Sequence, residues 1–215
     1  MRTLQKGILI AIEGIDGSGK SSLAKNLYHE FLNKFPVILT KEPGATPLGQ
    51  HLRTLVQERK VPICPIAEFL LFATDRAQHF NDVIIPNLKS GKLIISDRLA
   101  DSSLVYQGFG RGLDIAKINT INEWAMNSIK PDITIYINVT AQVASQRIVA
   151  RNTVLTSFEK EKQDFIQKLI DGFQALYQNR TDVIIIDGNL SLATVTAQAL
   201  EKITTWITQQ QLIQD

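Results

Sequence analysis

The stretch Gly14-Ile-Asp-Gly-Ser-Gly-Lys-Ser21 decides the fold of this chain. It matches the pattern G-x-x-x-x-G-K-[ST] at every fixed position. The segment 7–13 ahead of it is an apolar run of strand length, and leucines and phenylalanines recur at helical spacing in 22–35 behind it. A glycine loop between a strand and a helix is the context in which this pattern binds phosphate. The sequence therefore predicts a phosphate-binding loop on the first strand of the fold.

The residue types of this loop suit a nucleoside triphosphate. Glycines let the backbone turn tightly and approach a ligand, and the N-terminus of the following helix attracts anions. We expect Lys20 to reach the β- and γ-phosphates and the hydroxyl of Ser21 to bind Mg²⁺. The predicted ATP-binding residues are Gly14, Ile15, Asp16, Gly17, Ser18, Gly19, Lys20 and Ser21.

The composition is that of an ordinary globular protein. Of 215 residues, 44% are hydrophobic and 20% are charged, and the formal net charge is +2. This balance gives no sign of a nucleic-acid or membrane-binding surface, so individual Arg and Lys residues must meet an anionic ligand. Residues 1–7 lack the apolar core of a signal peptide, and no apolar run approaches the ~20 residues of a membrane span. We expect a cytoplasmic protein with neither nucleic-acid nor membrane partners.

Cys64 is the only cysteine of the chain, so no intrachain disulfide can form. A lone cysteine fits a reducing compartment. It stands between Ile63 and Pro65, and we expect it to be a small packed hydrophobe rather than a nucleophile.

Short apolar segments alternate with helical ones along the whole chain. Runs such as Leu93-Ile-Ile95 are apolar without alternation, which is typical of strands buried on both faces. The pattern predicts an α/β fold with a five-stranded parallel sheet and helices on both faces. We see no linker or repeat, so we expect one domain over 1–215, with ligands beyond the carboxyl ends of the strands. The strand candidates are 7–13, 36–40, 92–97, 132–139 and 182–187.

Charged residues follow two of these strands and fall at that edge of the sheet. The third strand ends in Asp97-Arg98, where a carboxylate can organise Mg²⁺ and a guanidinium can face a transferring phosphoryl group. The predicted metal ligands are therefore Ser21 and Asp97. Glu42 and Arg53 follow the second strand, and from spacing alone they are as often solvated loop charges as functional residues.

Two pairs of residues share a helix face because they lie four positions apart. In the first pair, Phe72 could stack on a base while Arg76 binds its edge, although a core Phe beside a surface Arg is the commoner origin of such spacing. In the second pair, Arg147 and Arg151 precede the polar loop 152–157. This segment predicts either a mobile lid over the triphosphate, at about 147–160, or a charged, solvated helix pair.

Together these motifs resemble the thymidylate kinases of bacterial type, and the resemblance covers nearly the whole chain. It implies phosphoryl transfer from ATP, with Mg²⁺, to dTMP, giving dTDP and ADP in dTTP synthesis. It also implies a homodimer, for which the apolar segment Phe69-Leu-Leu71 could serve. The alternatives are a kinase for another nucleotide or a nucleoside, and a nucleotide-binding protein with weak turnover. The segments that carry the resemblance are 13–21, Glu42-Pro-Gly44, Leu71-Phe72 with Arg76, Asp97-Arg98 and 101–108.

The resemblance also implies roles for single residues at the acceptor. Phe72 would stack on thymine and Arg76 would donate to its O4, while Tyr106 would crowd out a ribose 2′-hydroxyl. Arg53 and Arg98 would clamp the acceptor phosphate. Asp16 would hold the 3′-hydroxyl or orient that phosphate, Ser103 and Gln107 would complete the base pocket, and Glu42 would lie nearby. The implied dTMP-binding residues are Asp16, Glu42, Arg53, Phe72, Arg76, Arg98, Ser103, Tyr106 and Gln107.

The sequence departs from the family pattern at several positions. Leu99 stands where the Asp-Arg pair is usually followed by an aromatic residue or His, and Thr156-Ser157 stand where Asp-Arg usually precedes the lid Glu. The family carries a catalytic Arg in the phosphate loop or in the lid, and this loop has none at Gly17-Ser18. The resemblance therefore assigns that role to Arg147 or Arg151. The implied catalytic residues are Lys20, Arg98, Arg147 and Arg151.

Overall fold

Strands and helices alternate through the computed structural model of the chain, which describes residues 3–214. The strands are β1 (Thr3–Leu4), β2 (Ile8–Glu13), β3 (Val37–Lys41), β4 (Leu93–Asp97), β5 (Ile133–Asn138), β6 (Val183–Asp187) and β7 (Ile213–Gln214). The α-helices are α1 (Lys20–Leu32), α2 (Pro47–Glu58), α3 (Pro65–His79), α4 (Ile85–Lys89), α5 (Ala100–Ser103), α6 (Ile115–Ala125), α7 (Ala141–Ala150), α8 (Gln163–Tyr177) and α9 (Leu192–Gln209). Two π-helical segments, Phe80–Ile84 and Leu104–Gly110, extend α3 and α5.

Within the described residues, five strands form one parallel sheet in the order β3-β4-β2-β5-β6. Each strand lies within one residue of its predicted bounds at either end, so the predicted α/β fold with a five-stranded parallel sheet is confirmed. A second, antiparallel pair joins β1 to β7. It was not predicted, because two residues are too few to show an alternating pattern.

The three central strands, β2, β4 and β5, are buried on both faces, as the uninterrupted apolar runs predicted. The same prediction is wrong for the apolar run of β6, which lies at an edge of the sheet and leaves Ile185 50% exposed. Ile8, Ile10 and Ile12 of β2 pack into the larger core, which also contains residues of α1, α8 and α9. Leu9 and Ala11 point the other way, into a cluster with residues of β4 and the first π-helical segment. All five side chains are at most 1% exposed. Helices therefore cover both faces, and the carboxyl ends of the strands are left as the open edge.

Prolines mark the starts of two helices near this edge. Pro47 opens α2, and the hydroxyl of Thr46 accepts the backbone N–H of Gly49 at 3.0 Å. Pro65 opens α3, and Cys64 before it is extended and exposed. The prediction of a packed Cys64 is wrong, because a residue that precedes proline favours extended backbone and here lies in the open connection from α2 to α3. Across residues 3–214, every helix is too short or too polar to cross a bilayer.

Candidate active site

The phosphate loop joins β2 to α1 through a tight turn. Gly17 and Gly19 have positive φ angles of 80° and 99°, which favour glycine. A Cβ atom on Gly17 would come within 2.4 Å of the carbonyl oxygen of Ala144, so the loop packs against α7. Lys20 is buried inside this turn, where its Nζ donates to the carbonyl of Ile15 at 2.6 Å. Burial lowers the pKa of Lys20 to about 8, and an anionic ligand would therefore favour its charged form.

The predicted metal ligands lie side by side. The hydroxyl of Ser21 donates to Oδ2 of Asp97 at 2.5 Å, which joins the first turn of α1 to the end of β4. Both side chains offer hard oxygen atoms, and Mg²⁺ commonly takes one or two such ligands together with waters and substrate phosphates. In the part of the chain that the structure describes, no cluster of three His, Cys, Asp or Glu residues could hold a metal ion. The two oxygens fit a Mg²⁺ ion that arrives with a nucleotide.

Arg98 is held rigidly between the phosphate loop and the segment after β4. Its backbone is left-handed, with φ of 76°. One terminal nitrogen donates to the carbonyl of Gly14 at 3.0 Å and to Oγ of Ser102 at 2.9 Å. The other donates to the hydroxyl of Tyr106 at 3.0 Å and forms an ion pair with Asp16. The guanidinium is thus fixed in place before any substrate binds.

The charges in this cluster are well defined. Burial alone would raise the pKa of Asp16, but the positive charges of Arg98 and Lys20 hold it below its ordinary value. Burial raises the pKa of Tyr106, so its hydroxyl stays protonated and donates to Asp16 at 3.1 Å. The site therefore places a carboxylate, a phenol and a guanidinium against one another beside the phosphate loop.

Glu13 belongs to the site although it was not predicted. It is fully buried at the end of β2, and its Oε1 accepts the backbone N–H groups of Leu99 at 2.8 Å and Ser102 at 3.2 Å. Its Oε2 accepts the hydroxyl of Ser102 at 2.6 Å. Burial and the nearby charge of Asp101 raise the pKa of Glu13 to about 7. Glu13 therefore fastens the turn that carries Arg98.

Arg76 is buried, and all of its N–H groups are engaged. Its Nε donates to Glu42 at 2.9 Å, and one terminal nitrogen donates to Ser103 at 3.1 Å and Asn122 at 2.6 Å. The other terminal nitrogen donates to the carbonyl of Leu99 at 3.1 Å and pairs with Glu42 at 2.8 Å. Any contact with a base would be made by a guanidinium that its neighbours already orient.

Glu42 faces the protein interior as well as the cavity. Burial opposes its charge, but Arg76 and His79 hold the pKa of Glu42 below its ordinary value. Nδ1 of His79 lies 2.9 Å from Glu42, and its Nε2 lies 2.7 Å from the hydroxyl of Thr40. His79 is thus a buried structural residue. Arg53 donates to the carbonyl of Pro43 at 3.0 Å.

Arg147 and Arg151 lie at the same end of α7, but their side chains bind different parts of the protein. The terminal nitrogens of Arg147 donate to the carbonyls of Ser18 and Leu190 at 3.2 and 3.3 Å, so Arg147 bridges the phosphate loop and the start of α9. Arg151 instead donates to Glu159 at 2.6 Å, inside the segment between α7 and α8. The two arginines are therefore distinguishable by position, which their spacing alone could not show.

A single cavity of about 1110 Å³ joins these parts. Every predicted site residue lines it except Gly14 and Ile15, which are buried at the start of the loop. Among the lining residues that were not predicted, two groups stand out by position. One follows β6 and includes Gly188, Leu190 and Val195, beside Arg147. The other is Phe158, whose ring contacts Phe72 and Tyr106. The sequence pattern that could have indicated an ordered turn around it is Thr156-x-x-Glu159, a capping box.

Comparison with known proteins agrees with this geometry. The family model described as "Thymidylate kinase" matches residues 12–199. The chain belongs to the thymidylate kinase family. It is 36% identical over 201 residues to a protein named "Thymidylate kinase" from Halothermothrix orenii, an alignment covering 92% of this chain and 97% of the relative. A thymidylate kinase from Staphylococcus epidermidis is 35% identical over 195 residues, covering 90% and 96%.

The resemblance found in the sequence motifs is thereby confirmed over most of the chain. A thymidylate kinase is a nucleoside monophosphate kinase, so this chain is an enzyme of that class. The five-stranded parallel sheet with its phosphate loop is the α/β architecture expected of it. No feature of the comparisons favours a kinase for another nucleotide or a nucleoside, or a nucleotide-binding protein with weak turnover.

Proposed function

We propose that this chain transfers the γ-phosphoryl group of ATP to dTMP in one step, with Mg²⁺, in the cytoplasm. Membership of the thymidylate kinase family assigns it the reaction that forms dTDP and ADP. The observation that carries the proposal is the position of Arg98. It bridges Gly14 of the donor loop and Tyr106 of the acceptor side within a single cavity. A guanidinium there would face both the donor and the acceptor phosphate.

On the donor side, the backbone of 14–21 would surround the β- and γ-phosphates and Lys20 would contact their oxygens. Ser21 and Asp97 would hold Mg²⁺, which when bound neutralises phosphate charge and orients the triphosphate. The adenine would lie toward Leu190 and Val195, because these residues line the cavity next to Arg147.

On the acceptor side, Phe72 would stack on thymine within reach of Arg76, Ser103 and Gln107. Gln107 donates to Glu68 at 2.8 Å, which fixes its amide at the cavity wall. Because their neighbours hold these polar groups in fixed orientations, a base whose edge does not match them would bind less tightly. Glu42 would act by holding Arg76 rather than by touching phosphate, given their contact at 2.8 Å.

The sugar and phosphate of dTMP would lie between these groups and the donor loop. Tyr106 would leave no room for a ribose 2′-hydroxyl, and Asp16 would receive the 3′-hydroxyl or orient the phosphate. Arg53 would bind the acceptor phosphate, since a guanidinium matches phosphate geometry in a pair of hydrogen bonds. Arg98, whose terminal nitrogens already donate to protein groups, would act on the same phosphate through its positive charge. Arg53 lines the cavity and is oriented by the carbonyl of Pro43 at 3.0 Å.

The chemistry needs no covalent enzyme intermediate. An oxygen of the dTMP phosphate bonds to the γ-phosphorus as the bond from that phosphorus to the β–γ bridging oxygen breaks. Catalysis is then in-line placement and charge neutralisation. Lys20 and Arg98 would supply fixed positive charge. Arg151 would supply the remainder from the lid, whereas Arg147, held between Ser18 and Leu190, would serve the donor nucleotide.

A nucleotide panel tests the proposal. Coupled detection of ADP should show turnover of ~1–100 s⁻¹ with dTMP in the presence of Mg²⁺. Rates with dUMP, CMP, AMP, GMP and thymidine should be lower. A clear preference for another acceptor, or stabilisation by ATP and dTMP without product, would contradict it.

We also propose that the enzyme is a homodimer. Ile66 and Leu70 lie four apart on α3 and are 59% and 45% exposed, and Trp124 on the neighbouring α6 is 85% exposed. Exposed apolar groups on adjoining helices favour protein contact. Phe69 of the expected interface segment is buried in its own chain and cannot contribute. Sedimentation of the wild type should give twice the mass of one chain. The Leu70→Asp variant should sediment with the mass of a single chain.

A further inference from the structure

The segment between α7 and α8 places an aromatic ring at the acceptor pocket. Phe158 is 8% exposed, and its ring centroid lies 6.0 Å from that of Phe72 and 5.9 Å from that of Tyr106. Arg59, at the end of α2, covers it with a guanidinium 5.1 Å from the ring centroid. Phe158 also lines the cavity. The lid thus reaches the base side of the site and not only the triphosphate side.

Two residues that depart from the family pattern hold this ring in place. The hydroxyl of Thr156 accepts the backbone N–H of Glu159 at 3.3 Å, while Glu159 accepts the N–H of Thr156 at 2.8 Å. This reciprocal pair closes the turn around Phe158 in the manner of a capping box. Ser157 ties the turn to α2, because its N–H donates to the carbonyl of Gln57 at 3.0 Å and its hydroxyl to that of Val56 at 2.9 Å.

The distances decide what the ring can do. A base stacked between Phe72 and Phe158 would need about 7 Å, two contacts of ~3.5 Å each. The two rings are 6.0 Å apart and inclined at 50°, so no base fits between them. A base on the free part of Phe72 would have Phe158 beside it as a lateral wall. Contact of this kind excludes water from an apolar base edge.

We propose that Phe158 is a specificity-determining residue that forms the lid-borne apolar wall of the acceptor-base pocket, held there by Thr156, Ser157 and Glu159. The inference rests on the proposed function, since it takes the pocket at Phe72 as the base site. Binding of the acceptor then depends on the position of the lid. The same turn carries Glu159, the partner of Arg151 at 2.6 Å, so the wall and the lid arginine belong to one unit.

The test compares Phe158→Ala and Phe158→Leu with wild type in steady-state kinetics on dTMP and dUMP. We expect the alanine variant to raise KM for dTMP about 10-fold, the scale of a lost apolar contact, with KM for ATP within two-fold. Its ratio of kcat/KM for dTMP to that for dUMP should fall. Phe158→Leu should restore most of the lost affinity for dTMP and most of this ratio. Val154→Ala is the matched control, because Val154 lies in the same segment and is 92% exposed. It should leave every constant within two-fold.

Thermal melting of each variant shows that it is folded. An unchanged KM for dTMP in Phe158→Ala overturns the inference. So does an equal rise in KM for ATP and dTMP, which a generally disordered lid would give. If the wild type prefers another nucleotide, the proposed function fails, and the same comparison on that nucleotide decides the role of Phe158: a raised KM supports the wall and an unchanged one overturns it.

Discussion

Arg98 and Arg151 are both assigned to the transferring phosphoryl group, but the molecule holds them in opposite ways. The side chain of Arg98 is 16% exposed and is fixed by groups from the phosphate loop and the segment after β4. That of Arg151 is 48% exposed and, among the described residues, donates hydrogen bonds to Thr153 and Glu159, both in the lid itself. The sheet edge therefore supplies a charge that is ready in advance, and the lid supplies one that must change partners.

Glu159 keeps a second partner when Arg151 leaves it. Arg151 is 48% exposed and Glu159 only 4%, so water screens only the arginine end of the pair, while the carboxylate also accepts the backbone N–H of Thr156 at 2.8 Å. Phosphate oxygens can therefore replace Glu159 as the partner of Arg151 while Glu159 stays hydrogen-bonded within the lid. The Arg98 pair with Asp16 lies in a more buried cluster, where preorganised charge acts more strongly and needs no rearrangement. The difference predicts a larger catalytic contribution from Arg98 than from Arg151.

The largest expected effect is that of Arg98→Ala. We expect kcat to fall by about 10³-fold or more, the scale of a transition-state arginine in related phosphoryl transfer. Asp16 would also lose its ion-pair partner, so KM for dTMP should rise. Arg98→Lys should recover only part of kcat, because an ammonium cannot reach Gly14, Ser102 and Asp16 together. A loss below ten-fold in steady-state kcat would show that Arg98 is a structural residue.

The two regions also differ in how far the sequence could predict them. The phosphate loop, the five strands and the ends of those strands follow from local patterns, because a parallel sheet brings its carboxyl ends together wherever they stand in the chain. The lid offered only two arginines at helical spacing. That Arg147 turns to the phosphate loop and Arg151 to Glu159 depends on packing between α7, the loop and α9, which local spacing does not encode.

Glu13 shows the same limit inside the well-predicted region. Its partners Leu99 and Ser102 are almost ninety residues away, so no local pattern reveals that it fastens their turn. Leu99 shows why a departure from the family pattern can be accommodated. Its backbone carbonyl accepts a hydrogen bond from Arg76. Its side chain is 1% exposed and packs in the smaller core with residues of β2 and β4.

The second effect separates the two lid arginines. Arg151→Ala should lower kcat about 10²-fold with KM for dTMP nearly unchanged, because Arg151 would act on the transition state rather than on the acceptor. Arg147→Ala should instead raise KM for ATP about 10-fold with a smaller change in kcat, since it removes the bridge from Ser18 to Leu190. Steady-state kinetics with each substrate varied distinguishes them, and an exchange of the two patterns would reverse the assignment.

The smallest expected effect on activity comes from Glu13→Gln, which should instead change how the free energy of unfolding depends on pH. The pKa of Glu13, raised to about 7 chiefly by burial, lies above its ordinary value of 4.5. Between these values the folded state binds more protons than the unfolded state, so the free energy of unfolding falls as pH rises from about 4.5 to about 7. Glutamine cannot titrate, and kcat should fall only a few-fold because it still accepts one hydrogen bond from the turn that carries Arg98.

Urea unfolding at pH 5 and pH 8 measures this contribution. Relative to Glu13→Gln, the wild type should lose on the order of 3 kcal/mol between the two pH values. Glu201→Gln, on the exposed face of α9, is the matched control and should show no such difference. An equal pH dependence in wild type and Glu13→Gln would mean that Glu13 stays ionised throughout. The contacts with Leu99 and Ser102 would then be those of a permanent carboxylate, and the turn under Arg98 would be insensitive to pH.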